Sequence, residues 1–543
     1  MRLTKIAVGV ALAGALTSCG GGGGGSSGEV TITGQFTASA VEGIEVCVKD
    51  TFYCTTSDSE GKFTLKAPTS TPTLLFKVGD VEVGEYTIKE SGEVINPFKL
   101  TADSRAGEIV AKVIHAVGGD TSGVAPKVSL KGLDVWSEPQ VESIVKAVEE
   151  KTPFTLEVRK VEDGELYTVN VKPEDGSVEL CYGEECQPVE YRKWLFLVYM
   201  DGDNSLSEYV DKDIEEMASV TLPPQVKVVV LADYLNAGGL KVESDEKSGG
   251  LIKEELPEPD MGSEETLKEF IRSNIEKYPA TNVALILWNH GDGWRSKMAA
   301  VDVKNNSYLY MYKVVNALEE LKGEGYGVNL IGFDECLMGM AEVFYDVGAY
   351  AEAVVASETY EPSSGWDYGK ILEGLKSNPS MDAYQLGKVI VDAFRELPQV
   401  LNDMTLILMS KEEIEQLTEN INQLADSLSQ ETLPYFEEAR SSALEVPDTY
   451  YVDLYSLVKE LPMDSAQNIK TLIENAYKAV SGGYQGISIY FPKSSQDDGA
   501  FPCYLKDSPG GALICFNDEN YYNPFAVNRW DEFLVNYYAL EEE

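Results

Sequence analysis

The chain has 543 residues, of which 90 are acidic and 44 basic, so its formal net charge is −46. A polyanion would be repelled by this charge, which excludes nucleic acid as a partner. The sequence contains no phosphate-binding loop motif and no histidine-containing cluster with metal-ligand spacing. An enzyme or a binding protein remains. With 543 residues, the chain is long enough to hold several domains.

The first segment, residues 1–19, is a targeting signal. Its start is basic, and the apolar run Ile6–Leu16 is too short to span a bilayer as a helix. The letters LTSC that end at Cys19 resemble a bacterial lipobox, which implies cleavage before Cys19 and lipidation of its thiol; the alternative is an ordinary secretory signal. We expect a lipid-anchored protein of the bacterial cell envelope that faces the periplasm or the exterior, with residues 20–28 as a flexible tether.

The cysteines agree with export to an oxidising compartment. Of the eight, Cys19 is assigned to the lipid and Cys336 is set apart as a candidate nucleophile. The other six fall into three close pairs, for which we predict local disulfides: Cys47 with Cys54, Cys181 with Cys186, and Cys503 with Cys515.

Residues 29–100 predict a small all-β sandwich domain. Short alternating runs, such as VTITGQF from Val30, are separated by Gly, Pro, Asp and Ser. The simplest role for this domain is a spacer between the membrane and the rest of the chain.

Residues 101–190 mix helical spacing, as in Gly107–Val117, with short strand patterns such as Phe154–Val161. They form either an α+β accessory domain or a prosegment packed on the following domain. His115 lies on the predicted helix, and we expect it to be a surface or packing residue without a role in chemistry.

Residues 191–543 predict one large α/β domain, a mostly parallel sheet flanked by helices. The strand runs are apolar throughout, so both faces of the sheet should be covered. The predicted strands are Trp194–Met200, Val226–Ala232, Val283–Trp288, Val328–Phe333, Ala353–Ser357, Thr405–Met409 and Gly486–Phe491. The predicted helices include Ser205–Ala218, Glu264–Lys277, Tyr308–Lys322, Leu337–Tyr350, Ala383–Glu396, Lys411–Leu428 and Ser465–Val480.

Two of these strands end in a polar turn that holds a reactive side chain. VALILWNHGDGWR places His290 after one strand, and VNLIGFDECLMGMAE places Cys336 after the next. The helical segment between them makes a βαβ unit, whose parallel strands end at the same edge of the sheet. His290 and Cys336 should therefore be neighbours where open α/β sheets place their sites. The alternative is a buried structural cysteine and a turn histidine that never meet.

This pair fits a thiol nucleophile and its base. A thiol attacks as thiolate, so it needs a base, His290, and a positive potential, which the helix predicted to begin at Leu337 would supply. The backbone N–H groups of Gly291 and Cys336 are candidates for an oxyanion hole, because glycine lets the backbone approach closely.

NHGDGW followed by FDECLMGMAE resembles the clostripain family of cysteine peptidases. Further matches begin at Trp194 (WLFLVYMDGDNSL), Val354 (VVASETYEPSSGWDYGKIL) and Tyr484 (YQGISIYFP), so the resemblance runs from about Tyr191 to the C-terminus. It implies a caspase-like fold and a cysteine endopeptidase that acts through a thioester acyl-enzyme. The rivals are a non-catalytic surface-binding lipoprotein that keeps the fold and a transpeptidase that uses the same thioester.

The resemblance also implies cleavage after Arg or Lys, which requires an acid in the substrate pocket. Asp334 matches a family position linked to this role, and Asp367 is the second candidate; Ser357 and Glu358, in the segment that resembles the substrate loop, complete the predicted substrate-binding set. Alternatively, Asp334 caps the following helix and Asp367 only holds its loop. Expected partners are basic protein or peptide substrates, and the protein is expected to be a monomer.

We predict no cofactor and no metal ligand. The DGDN segment at Asp201 resembles the start of a calcium loop, but the terminal Glu is not at its spacing, which favours a strand-to-helix turn. Relatives can require calcium, at a site that the sequence does not locate.

Some relatives cut themselves after a basic residue between the dyad His and Cys. Lys304, in VDVKNNS, is followed by residues typical of exposed turns and is our candidate for self-cleavage. The alternative is a single chain that is active as made.

Overall fold

The computed structural model describes residues 29–124, 127–137, 143–245, 248–295, 301–397, 403–505, 515–516, 518 and 520–541. The predicted signal, tether and anchor at Cys19 lie outside these ranges. Within them, no helix combines the length and the apolar character needed to cross a membrane.

The part before residue 191 is built mainly from short strands. Their side chains alternate between buried and exposed, because successive residues of a strand point to opposite faces. The strands are β1 (Val30–Phe36), β2 (Ala40–Glu42), β3 (Glu45–Val48), β4 (Cys54–Thr56), β5 (Lys62–Ala67), β6 (Thr73–Val78), β7 (Val81–Thr87), β8 (Glu93–Ile95), β9 (Lys127–Ser129), β10 (Leu133–Ser137), β11 (Phe154–Lys160), β12 (Leu166–Lys172), β13 (Ser177–Tyr182) and β14 (Glu185–Pro188). The helices are α1 (Ser104–Val117) and α2 (Ile144–Glu149).

These strands form two small sheets, ordered β5-β1-β8 and β4-β3-β6-β7, and a five-stranded sheet, β10-β11-β12-β13-β14, besides the β2–β9 pair. One hydrophobic cluster runs through them from Ile32 to Tyr191 and includes most of α1. Leu100 and Ala106 both belong to it, so the predicted boundary at residue 100 falls inside a shared core. The division into two domains there stays a prediction.

All three predicted disulfides are confirmed: Cys47–Cys54, Cys181–Cys186 and Cys503–Cys515. His115 is fully buried and packs in the shared core. Its Nδ1 lies 2.8 Å from Asp120 Oδ2, and its Nε2 contacts the carbonyl of Ala38. It is thus a packing residue and not a surface one.

From Tyr191 onward, strands alternate with helices. The strands are β15 (Trp194–Gly202), β16 (Val226–Tyr234), β17 (Leu240–Ser244), β18 (Leu251–Glu255), β19 (Asn282–Trp288), β20 (Val301–Asp302), β21 (Ser307–Tyr308), β22 (Leu330–Asp334), β23 (Ala353–Ala356), β24 (Thr405–Ser410), β25 (Tyr451–Asp453), β26 (Tyr477–Val480) and β27 (Ser488–Tyr490). The helices are α3 (Ser207–Ala218), α4 (Glu264–Lys277), α5 (Met311–Gly323), α6 (Ala341–Gly348), α7 (Tyr368–Ser377), α8 (Ala383–Arg395), α9 (Lys411–Asp426), α10 (Leu433–Ser442), α11 (Leu454–Val458), α12 (Asp464–Asn475), α13 (Phe501–Tyr504) and α14 (Trp530–Glu541).

A nine-stranded sheet forms the centre of this part, in the order β18-β17-β16-β15-β19-β22-β23-β24-β26. Its five central strands, β16 to β23 in that order, are parallel, and the strands at both edges are antiparallel. Residues of β15 alternate between two hydrophobic clusters, one on each face: Leu195 belongs to the first and Phe196 to the second. The predicted α/β class, a mostly parallel sheet covered on both faces, is confirmed.

Two predictions for this part of the chain were wrong, and two edge strands were missed. The edge strands β17 and β18 were not predicted. The helix predicted over Ser465–Val480 ends at Asn475, and its last residues pair with β24 as strand β26. The strand predicted at Gly486–Phe491 is shorter and pairs with β25 outside the main sheet. Runs of three to five residues are too short to show a period, so pairing with a neighbour decides their structure.

Candidate active site

His290 and Cys336 follow neighbouring parallel strands at the carboxyl edge of the main sheet. In the ladder between β19 and β22, Trp288 lies opposite Asp334, so both chains leave the sheet at the same level. Each reactive side chain comes two residues later. Both are half-buried, and both line the same cleft.

Gly291 brings the two loops into direct contact. A Cβ atom at this position would lie 2.0 Å from the carbonyl oxygen of Cys336 and 3.0 Å from the Cβ atom of Glu335. Any side chain there would therefore push the histidine loop away from the cysteine loop. The backbone of Gly291 thus borders the nucleophile, which is where a candidate oxyanion donor has to be.

The helix after Cys336 begins four residues later than predicted. Leu337 has a positive φ of 66°, which is rare for a non-glycine residue, and α6 starts only at Ala341. The N–H of Leu337 donates to the carbonyl of Thr359 (3.0 Å), and that of Gly339 to the carbonyl of Ser357 (2.6 Å). The predicted activation of Cys336 by a helix N-terminus is wrong, because a turn bound to the neighbouring segment intervenes.

The histidine ring is held by the loop that follows β15. Ser205 Oγ lies 2.8 Å from His290 Nε2, and the side chain of Asn289 accepts a hydrogen bond from the backbone N–H of His290. Asn289 is fixed in turn by Asn204 Nδ2 (3.0 Å) and by Asp201 Oδ2 (2.9 Å). Ser205 was missed by the sequence analysis as a site residue, although it lies within the matched segment WLFLVYMDGDNSL.

Burial keeps both reactive groups neutral in the free enzyme. It lowers the pKa of His290, so the imidazole is unprotonated at neutral pH and can accept a proton. It raises the pKa of the Cys336 thiol, and the nearby carboxylates of Glu335 and Asp334 add to that, while the N–H of Glu361, 3.2 Å from Sγ, opposes it. Both shifts favour a neutral imidazole beside a neutral thiol over a ready-formed ion pair.

Three acids line the cleft beside the thiol: Asp334, Glu335 and Glu361. Asp334 Oδ2 accepts hydrogen bonds from the N–H of Trp366 (3.2 Å) and the hydroxyl of Tyr368 (2.9 Å). Burial nevertheless raises the pKa of Asp334 to about 7. Burial also raises the pKa values of Glu335 and Glu361 well above their usual range, so Asp334 is the acid of this cleft that can carry a negative charge near neutral pH.

Glu335 and Glu361 were missed by the sequence analysis. Glu335 is 1% exposed, and neither of its carboxylate oxygens has a hydrogen-bond partner among the described residues. Glu361 Oε2 accepts a hydrogen bond from Trp366 Nε1 (2.9 Å). The carboxyl group of Glu361 is also hydrogen-bonded to the carboxyl group of Asp334. Glu361 lies in the matched segment VVASETYEPSSGWDYGKIL, so its acidic side chain was a usable signal.

The other predicted substrate residues do not line this cleft. Asp367 caps α7, where it accepts from the N–H of Lys370 (2.9 Å). Ser357 and Glu358 are fully buried beneath the cysteine loop, and Glu358 Oε2 accepts from the N–H of Gly486 (2.7 Å). These placements speak against direct substrate contact by the three residues, which instead support the loops around the site.

Lys304 lies in the exposed turn between β20 and β21, as expected for a cleavage candidate. The turn is nevertheless tied down. The N–H of Lys304 donates to Asp203 Oδ2 (2.6 Å), and its Nζ lies 2.7 Å from Glu258 Oε2.

Comparisons with known proteins agree on one family. A sequence model described as "Clostripain family" matches residues 198–541. The clostripain of Hathewaya histolytica is 26% identical over 330 residues, which cover 49% of this chain and 62% of that protein, so the chain spans less than two thirds of that relative.

Two solved structures match part of the chain. One is an inactive zymogen of a C11 protease from Parabacteroides distasonis (23% identity, TM-score 0.46, 55% of this chain and 92% of that chain). The other is a secreted C11 cysteine protease from Bacteroides thetaiotaomicron in complex with an irreversible peptide inhibitor (19% identity, TM-score 0.46, 57% and 95%).

Proposed function

Since the chain belongs to the clostripain family of cysteine peptidases, we propose that it is an endopeptidase that cleaves peptide bonds after Arg or Lys. The observation that carries the proposal is the cleft that His290 and Cys336 share with three acids. Enzymes of this family need no cofactor in general. We also propose that it acts as a monomer.

The two reactive side chains divide the chemistry between them. His290 takes the proton from Cys336 Sγ as the sulfur attacks the scissile carbonyl carbon. The oxyanion receives hydrogen bonds from the N–H groups of Cys336 and Gly291. His290 then protonates the leaving amine, and water attacks the resulting thioester with the same imidazole as base, which frees the acid product.

The acids of the cleft supply the specificity. An Arg or Lys side chain that enters beside Cys336 meets the carboxylate of Asp334, to which Glu361 is hydrogen-bonded, and a desolvated carboxylate binds such a cation more strongly than one in water. The second candidate, a non-catalytic binding protein, is disfavoured because both reactive residues are kept and face one cleft.

Four fluorogenic peptides that end in Arg, Lys, Asn or Asp test this function. We expect cleavage of the first two. Cys336→Ala should abolish it, and His290→Ala should slow it by at least ~10²-fold, the lower range of general-base contributions. Unchanged thermal unfolding of both variants is the control for folding. Retained cleavage by purified Cys336→Ala would overturn the mechanism, and new amide products in the presence of an added amine would indicate transpeptidation.

We also propose that Cys19 carries a lipid that holds the protein at the bacterial cell envelope, facing the periplasm or the exterior. The lipobox-like residues before Cys19 support this, as do the three disulfides. A Cys19→Ser protein that still fractionates with membranes would contradict it.

A further inference from the structure

The loop that carries His290 is held at its far end by a buried tryptophan. Trp294 is 2% exposed, and its ring packs edge-to-face against three other aromatic rings. The ring centre of Trp294 lies 4.7 Å from that of Tyr504, 4.8 Å from that of Tyr490 and 6.3 Å from that of Phe516. We call these three rings the aromatic cage. Among the described residues, Trp294 Nε1 has no hydrogen-bond partner, so packing holds the indole in place.

Two tyrosine hydroxyls hold the backbone between the histidine and the aromatic cage. The hydroxyl of Tyr451 donates to the carbonyl of Asp292 (2.5 Å), and that of Tyr521 donates to the carbonyl of Trp294 (3.4 Å). At the other end of the loop, β19 ends at Trp288 in the main sheet. The reactive histidine therefore lies on a short loop that is fixed at both ends.

A disulfide joins two walls of the aromatic cage. Tyr504 directly follows Cys503, and Phe516 directly follows Cys515, the cysteine to which Cys503 is bonded. The hydroxyl of Tyr504 also donates to Glu342 Oε1 (2.9 Å) in α6, which fixes this wall independently. Phe516 has a positive φ of 55°, an unfavourable backbone conformation for a bulky residue, so its position depends on its surroundings. The disulfide ties the Phe516 wall to the firmer Tyr504 wall.

We propose that Trp294 is a positioning residue for His290 and that the Cys503–Cys515 disulfide keeps it in place by closing the aromatic cage. Neither Trp294 nor a ring of the cage is among the described residues that line the catalytic cleft. Trp294 therefore acts through the backbone that leads to His290. A displacement of about 1 Å at a catalytic group can cost ~10²-fold in rate. The inference rests on the proposed function, because it takes His290 as the base.

Steady-state kinetics of the full chain, on whichever test peptide the parent cleaves fastest, examine the disulfide. Cys503→Ser/Cys515→Ser should lower kcat by at least ~10-fold and leave KM within about twofold, because the chemistry and not the binding of substrate is disturbed. Cys181→Ser/Cys186→Ser is the matched control. It removes the disulfide of the β13–β14 hairpin, before the peptidase part, and should change neither constant. Thermal unfolding of both variants shows that they fold.

Substitution of Trp294 gives an independent test that keeps all three disulfides. Trp294→Ala empties the aromatic cage and should lower kcat by at least ~10-fold without a matching change in KM. Trp294→Phe keeps a ring in the cage and should restore most of the rate, since the indole N–H makes no hydrogen bond there. Trp194→Ala is the control for a lost buried ring. Trp194 is fully buried at the start of β15, so this variant should unfold at a lower temperature without a comparable loss of kcat.

Each part of the inference can be overturned separately. Unchanged kcat in Cys503→Ser/Cys515→Ser would overturn the role of the disulfide, and unchanged kcat in Trp294→Ala that of the tryptophan. An equal loss in Cys181→Ser/Cys186→Ser, or no recovery in Trp294→Phe, would show general loosening of the fold and contradict positioning. Absence of cleavage by the parent chain would instead overturn the proposed function, and this inference with it.

Discussion

Under the proposed specificity, Asp334 should give the cleft a pH-dependent preference for basic substrates. Because its pKa is raised to about 7, the carboxyl group is largely neutral below that pH and charged above it. Binding of an Arg or Lys side chain needs the charged form. We therefore expect the kcat/KM ratio of a Lys-ending to an uncharged peptide to rise between about pH 6 and 8.

Asp334→Asn should remove this rise and increase KM most for Arg and Lys peptides. Asp367→Asn is the control, since that carboxylate caps α7 and should affect both substrate classes alike. Equal losses on charged and uncharged peptides in Asp334→Asn would show that Asp334 supports the fold of the site instead of binding substrate. Protonation of His290 slows the cleavage of both peptides equally, so it does not change the ratio of their kcat/KM values.

Because the histidine and cysteine loops touch at Gly291, adding one methyl group there should reduce activity strongly. In Gly291→Ala, the new Cβ would meet the carbonyl oxygen of Cys336, so the loops have to separate. A misplacement of about 1 Å at a catalytic group can cost ~10²-fold in rate, and we expect a loss of that order in kcat. Gly327→Ala, where a Cβ meets nothing within 4 Å, should be neutral. Normal kcat in Gly291→Ala would contradict the contact.

The strand ends around the site could be predicted, but the turn after the nucleophile could not. The apolar runs of β19 and β22 stop at polar residues, and parallel pairing brings their ends together. After Cys336, however, apolar residues continue at helical spacing, which masks the turn. Leu337 keeps its left-handed backbone because the carbonyls of Thr359 and Ser357 bind this turn, and a single sequence does not show such contacts.

Groups that come from distant segments were the hardest to predict. Ser205 reaches His290 across 85 residues of sequence. The carboxylates of Asp203 and Asp302 also lie close together, although one precedes β19 in the sequence and the other follows it. Of these two, only Asp203 was noticed in the sequence, as part of the DGDN segment. The dyad was found because one βαβ unit carries both of its residues, whereas these contacts depend on how several units pack.

Self-cleavage after Lys304 remains our proposal for maturation. The turn that holds Lys304 is exposed, which favours cleavage. Against this, the N–H of Lys304 is bound to Asp203 and its ammonium to Glu258. N-terminal sequencing of the purified enzyme should find a fragment that begins at Asn305, absent from Cys336→Ala. The two pieces should stay together, because β19 and β22 on either side of the cut share one sheet. A fully active, uncut chain would contradict this.

Covalent labelling of Cys336 tests the account most directly. Cys336 is the one free thiol in the described part of the chain, so an adduct there is easily assigned by peptide mass mapping. We predict that an alkylating peptidyl ketone that ends in Lys adds once, at Cys336, and that His290→Ala slows the reaction. The same ketone ending in Asp should react far more slowly. An adduct at another residue, or equal labelling by both ketones, would contradict a Cys336 nucleophile in a pocket for basic side chains.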